Sequence, residues 1–273
     1  MKKIYLFTIY MLGILAFYAC GSDDSNDVVA ADDDTVVEEE EMEEITGSGS
    51  TPVAAFDDFN SDAVSVSFDG DQITITSNGL PNHTSPYWST DSDLYIEPVV
   101  ANEEGISPGT IRELTYTLTV DASPEIAASS SATGLGAIGI SITGVPIYND
   151  QEGMNVALSA SVASGFDWSG GHVGPTGYHY HIESSDVTEN GGQLSYDDHQ
   201  LVGIMADGFL LYGRRDNADG DYPDDLDESG GHVGTTQHSD EPFYHYHIIN
   251  EFYIDEYIVL FGVDLQGTPS TIM

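Results

Sequence analysis

The string Tyr-His-Tyr-His-Ile occurs twice in this chain, and each copy follows a Gly-Gly-His-Val-Gly turn. The first block runs from Gly170, Gly171 and His172 to Tyr178, His179, Tyr180, His181 and Ile182. The second runs from Gly230, Gly231 and His232, past an insertion around residues 237–242, to Tyr244, His245, Tyr246, His247 and Ile248. Alternation of this kind predicts an extended strand, whose successive side chains point to opposite faces. His179 and His181 then share one face with Cα atoms roughly 6.6 Å apart, and the tyrosines take the other. Glycines ahead of His172 and His232 let the backbone fold back over its strand. Each block thereby gathers three imidazoles into an open-sided set, familiar for Zn²⁺ and Cu²⁺. The expected metal ligands are His172, His179, His181, His232, His245 and His247, in one shared site or in two. The competing reading keeps the same rings as buried imidazoles hydrogen-bonded to backbone carbonyls, with no ion.

Elsewhere the folded part shows hardly any helical periodicity. Short alternating segments rich in β-branched and aromatic residues are bounded by Gly, Pro, Asn and Asp, as strands are. Residues 64–68 and 72–77 form a hairpin pattern around Asp69 and Gly70. Further strands are expected over 113–120, 137–142, 155–162, 201–205, 209–212 and 253–263. The fold class is therefore all-β: sandwich-like or layered antiparallel sheets with long loops. Outside the two histidine blocks no repeat is evident, so one domain with a doubled motif is expected.

The N-terminus has the form of an export signal. Lys2 and Lys3 precede an apolar stretch over residues 4–18, which is short for a membrane span. It ends at Ala19 and Cys20, and Cys20 is the sole cysteine, placed where a lipoprotein signal would be cleaved and lipidated. Residues 1–19 read as the signal peptide and 20–52 as a tether. Twelve acidic residues and no basic one lie between Asp23 and Glu44, a composition that cannot bury apolar area. The expectation is export and lipid anchoring at the outer membrane or cell surface through Cys20, with a β domain over 53–273. A lone cysteine allows no internal disulfide, so an apolar core must hold that domain.

Formal net charge is −42, with only five Lys or Arg residues. Beyond the signal only Arg112, Arg214 and Arg215 are basic, which excludes nucleic acid and direct contact with anionic lipid. Such a surface suits cations. A second candidate is the acidic run over 216–225, which resembles half a calcium loop. Arg215 occupies its first ligand position and no Glu closes it, so a solvated loop is the alternative. Asp207, in a turn between two expected strands, is a candidate carboxylate behind the histidines. His83, His199 and His238 are expected at surface or structural positions, with His238 within reach of the second block.

The doubled block, with residues 206–213 between its copies, resembles the YHYH family, which is named for its motif. Residues 75–83 and 139–148 are similar to it too, so the resemblance spans about 70–265. It implies no particular activity. In that family the turn is usually Cys-Asn-Gly-His, whereas Ser169 and Ser229 stand at the cysteine positions here.

These observations lead to a cell-surface lipoprotein with a copper- or zinc-binding β domain. Alternatives are a metal-dependent enzyme and a structural adhesion or interaction module. As a hydrolase, the enzyme would use metal-bound hydroxide with Asp207 or Asp227 as base. As a copper oxidoreductase, its redox site would be lined by Tyr178, Tyr180, Tyr244 or Tyr246. No protein partner is indicated.

Overall fold

A computed structural model describes residues 49–98, 106–183, 198–217, 220–255 and 257–273, all within the unit Glu44–Met273. Cys20, the signal segment and most of the acidic tether lie outside the described residues, as does most of the calcium-loop candidate's glycine turn at residues 218–219. Among the described residues no helix is long and apolar enough to cross a membrane. The expected tether end at residue 52 is already part of the fold. Thr51 is buried and its N–H donates to the Ala122 carbonyl at 3.0 Å.

The all-β expectation holds. Strands β1 (Val64–Asp69), β2 (Gln72–Ser77) and β3 (Tyr116–Asp121) form an antiparallel three-stranded sheet, β1 and β2 joined at Gly70 with its positive φ. The remaining long sheet uses β4 (Gly139–Ser141), β5 (Pro146–Ile147), β8 (Gly171–Gly174) and β9 (Gly177–Tyr180). Its other strands are β10 (Leu201–Met205), β11 (Leu210–Tyr212), β12 (Gly231–Thr236) and β13 (Ser239–His247). A two-stranded ribbon, β6 (Gln151–Glu152) and β7 (Val156–Ala157), stands apart.

The eight strands lie in the order β12-β13-β11-β10-β4-β5-β9-β8. They are not purely antiparallel, because β5 pairs with β9, and β11 with β13, in parallel. The order reads as two four-stranded units meeting at the antiparallel β4–β10 pair. In each, a short hairpin (β4–β5 or β10–β11) lies inside a histidine hairpin (β8–β9 or β12–β13). The duplication is therefore larger than the histidine blocks. Gly139, Ile140, Gly144 and Tyr148 correspond to Gly203, Ile204, Gly208 and Tyr212, at a constant sequence offset. Backbone bonds repeat with them. Ser141 N–H donates to Val145 and Gly144 N–H to Ser141; Met205 N–H donates to Phe209 and Gly208 N–H to Met205. Both turn glycines take positive φ, 94° and 92°, which a side chain would strain.

One face of the long sheet presents Ile140, Ile204, Leu210 and Tyr212 to Ile73, Ile75, Leu118 and Val120 of the small sheet, forming one apolar cluster. The opposite face carries Tyr178, Tyr180, Tyr244, Tyr246, Val202, Met205 and Leu211, covered by Tyr87, Ile111 and the 258–265 segment. Two strand expectations fail. Residues 155–162 keep only the two-residue strand β7 and then turn into the helix α1 (Ala160–Ala163), because the Ser159 hydroxyl caps it by accepting the Val162 N–H. Over 253–263 only isolated bridges form. Asp255 breaks that stretch with φ of 49°, and its backbone serves the neighbouring chain, Glu183 N–H donating to Ile258 and Leu260 N–H to His181.

Candidate metal centres

Pairing sets the ligands opposite one another. In the first hairpin His172 faces His179 across the ladder, and in the second His232 faces His245. The next histidine on the same strand face, His181 or His247, completes each triad. The ring centroids lie 4.6, 4.8 and 5.4 Å apart in the first triad. They lie 4.8, 4.8 and 5.1 Å apart in the second. Each hairpin thus gathers its own three rings. The two centres are separate, carried at opposite edges of the sheet with four strands between β9 and β13.

Each triad meets a carboxylate that the sequence reading did not single out as its ligand. Glu152 Oε1 lies 3.3 Å from His172 Nε2 and 3.5 Å from His181 Nε2. Asp216 Oδ1 lies 3.3 Å from His232 Nε2 and 3.4 Å from His247 Nε2. Glu152 and Asp216 stand at the offset that relates Tyr148 to Tyr212, so they are the same position in the two units. Alignment of the short hairpins would have found them both. Donor atoms about 2.0–2.1 Å from a tetrahedral ion are themselves about 3.3–3.4 Å apart, which is close to the separation of these carboxylate–imidazole pairs.

Proton placement agrees. The His179, His181, His245 and His247 Nδ1 atoms lie 2.9, 2.6, 3.0 and 2.6 Å from the carbonyls of Gly177, Asn149, Phe243 and Gly213. A carbonyl only accepts, so Nδ1 carries the hydrogen and Nε2 is left as a bare lone pair. His232 Nδ1 is held by Asp225 Oδ1 at 2.8 Å. Nine buried side-chain atoms among the described residues lack a hydrogen-bond partner, and seven of them are here. They are Nε2 of His172, His181, His232, His245 and His247, with Glu152 Oε1 and Asp216 Oδ1. Buried acceptors converging on an unfilled point are costly unless a cation lies between them. Burial also keeps the rings neutral: it lowers His179 and His245 well below the ordinary histidine value, and His181 and His247 to about 4. The His172 ring holds Glu152 below the usual carboxylate range, whereas burial raises Asp216. Both sets can hold a metal ion. His172, His179 and His181 place one ligand atom each within 4.8 Å of one another, and so do Asp216, His232, His245 and His247.

Other candidates fall elsewhere. Asp207 does not back the histidines; it accepts from the Tyr246 hydroxyl at 2.6 Å and the Gly267 N–H at 2.9 Å, on the opposite sheet face. Asp227 accepts from Tyr244 at 2.8 Å and from the Ser229 and Gly231 N–H groups, which shapes the turn before His232. Asp167 repeats this at the first turn, taking Tyr178 at 2.6 Å with Ser169 and Gly171. The four motif tyrosines therefore pack the core and do not line the centres, and neither proposed base faces one. His83 is buried rather than superficial, with Nε2 2.9 Å from the Tyr180 hydroxyl. His238 is held between the Tyr212 hydroxyl and Asp58 and does not join the second centre. In the 216–225 run, Asp216 and Asp225 point to histidines and the Arg215 guanidinium donates to Gly220 O.

No curated protein and no solved structure matches the chain. A family model described as YHYH protein matches residues 116–224, which takes in the first histidine hairpin, both short hairpins and both carboxylates. The second histidine hairpin and residues 75–83 lie beyond that match, which is narrower than the resemblance spanning 70–265. With the motif residues placed on one sheet, residues 116–224 of the chain are similar to the YHYH family.

Proposed function

We propose that this chain is an exported metal-binding protein that carries two separate ions of zinc or copper, one on each histidine hairpin. His172, His179, His181 and Glu152 hold the first; His232, His245, His247 and Asp216 hold the second. The observation that carries this reading is the convergence of buried, unpartnered donor atoms at tetrahedral separations, repeated at equivalent positions of the duplicated fold. Three imidazole nitrogens and one carboxylate oxygen, with no sulfur, suit Zn²⁺ and Cu²⁺ above softer or purely oxygen-preferring ions. Lipid anchoring through Cys20 and an acidic tether would place the domain at the cell surface, where its negative charge attracts cations.

The test is equilibrium dialysis of protein made without an added His tag, against Zn²⁺ and against Cu²⁺. Two ions per chain are expected, and one in variants that lack either triad. Binding no greater than that of a chain with all six histidines replaced by alanine ends the proposal. Radiolabelled fatty-acid incorporation, lost in Cys20→Ser, tests the anchor.

A further inference from the structure

The two centres share a ligand plan but differ in access. A cavity of about 270 Å³ reaches His179, His181 and Glu152 of the first centre at once. Beside the second centre a cavity of about 230 Å³ touches His247 alone among its ligands. Side chains account for the difference. Across the ladder Gly174 pairs with Gly177 in the first hairpin, whereas Gly234 pairs with Phe243 in the second. The Phe243 ring lies 5.0 Å from His245, whereas Gly177 places no side chain beside His179, whose ring is stacked by Tyr148 at 3.9 Å. His238, from the longer tip of the second hairpin, bonds Tyr212, the counterpart of Tyr148 that lines the first cavity. Asp216 belongs to a four-residue set with every ligand atom within 4.8 Å, while the corresponding set at the first centre contains only its three histidines. His245 Nε2 is buried without a partner, and His179 Nε2 is not among such atoms.

Resting on the two-ion reading, we infer that the first centre is the reactive one. It takes a small neutral ligand with a nitrogen or oxygen donor from this cavity, while the second centre is closed and structural. The cavity's chemistry sets the ligand class. Leu135, Tyr148 and Pro175 give it an apolar wall, Gln151 and Thr176 supply polar groups, and no Lys or Arg lines it. With Glu152 present, an anionic ligand has no countercharge except the ion itself. Three imidazoles leave a tetrahedral ion one further position, and Glu152, which lies outside the set of ligand atoms within 4.8 Å of one another that includes Asp216 at the second centre, is the ligand to yield it.

The experiment uses Co²⁺-loaded protein and imidazole as the neutral donor, followed by visible absorption. His245→Ala/His247→Ala leaves only the first centre occupied, and His179→Ala/His181→Ala only the second. Saturable spectral change at the first centre, with at least tenfold weaker response at the second, is expected. Gly153→Trp adds bulk at a residue that lines the cavity and where a Cβ meets nothing within 4 Å. That variant is expected to keep the Co²⁺ spectrum and lose the imidazole response. Equal response at both centres, silence at the first, or an unchanged response in Gly153→Trp would each overturn the inference while leaving two bound ions in place. Failure to bind Co²⁺ at all would instead contradict the metal reading itself.

Discussion

The two halves of the long sheet are one design executed twice, and their differences separate what the design requires from what it tolerates. Both keep the turn aspartate, the tyrosine it holds, the histidine triad, the carbonyls that fix Nδ1 and one carboxylate per triad. The hairpin tips are not conserved between them. The first turns at residues 175–176, and the second continues through Thr236 to Ser239. The insertion lengthens the tip without disturbing the register of His232 against His245. What is repeated is the coordination shell and its supports; what varies controls access to it.

The largest effect expected from breaking this equivalence comes from the ligands. His181→Ala and His247→Ala should each abolish one ion per chain by elemental analysis. Affinity at that centre should fall on the order of 1,000-fold or more, beyond the roughly 10–100-fold usual for outer partners. If the centres are separate, the other ion stays at its original affinity.

The turn aspartates sharpen the comparison through burial. Asp167 is buried and accepts from Tyr178, Ser85 and two backbone N–H groups. Asp167→Ala strands several buried donors and should cost about 3–5 kcal/mol in denaturant unfolding. Asp227 makes the equivalent bonds in an exposed position, where water replaces them, so Asp227→Ala should cost about 1 kcal/mol. Equal costs would mean that burial does not set the two turns apart.

A smaller effect distinguishes the halves at the third imidazole. Asp225 fixes His232 Nδ1, so Asp225→Asn should weaken the second centre about 10–100-fold and leave the first unchanged in competition titrations.

The smallest effect is one of pH on metal-free protein. Burial lowers His181 and His247 to about 4 from the ordinary histidine value of 6.5. Between those values the unfolded chain binds more protons than the native one. Stability is thus complete above about pH 6.5 and declines as pH falls toward 4, by up to roughly 1.4 kcal/mol per pH unit for each ring. Thermal melts of metal-free protein should follow this decline, and both single-alanine variants should flatten it equally.

Much of this was legible in the residues. Period-two alternation in Tyr178–His181 and Tyr244–His247 places histidines on one face and tyrosines on the other whatever the surroundings, because pleating alone dictates it. The Asp69-Gly70 hairpin was legible for the same local reason. Glu152 and Asp216 were not, since neither has a local pattern that marks a ligand; each reaches its triad only when a neighbouring hairpin folds beside it. The larger duplication was obscured because few identities survive between residues 139–148 and 203–212, although Gly144 and Gly208 occupy the same positive-φ turn. Residues 253–263 read as a strand from composition, yet their apolar side chains serve to cover the tyrosine face.

Elemental analysis of tag-free protein, read beside the two triad-deleted variants, tests the central claim most directly. The account predicts two zinc or copper ions in the intact chain and one in each variant. An intact chain that holds no more metal than the six-alanine chain, or one ion that both variants lose together, would contradict it.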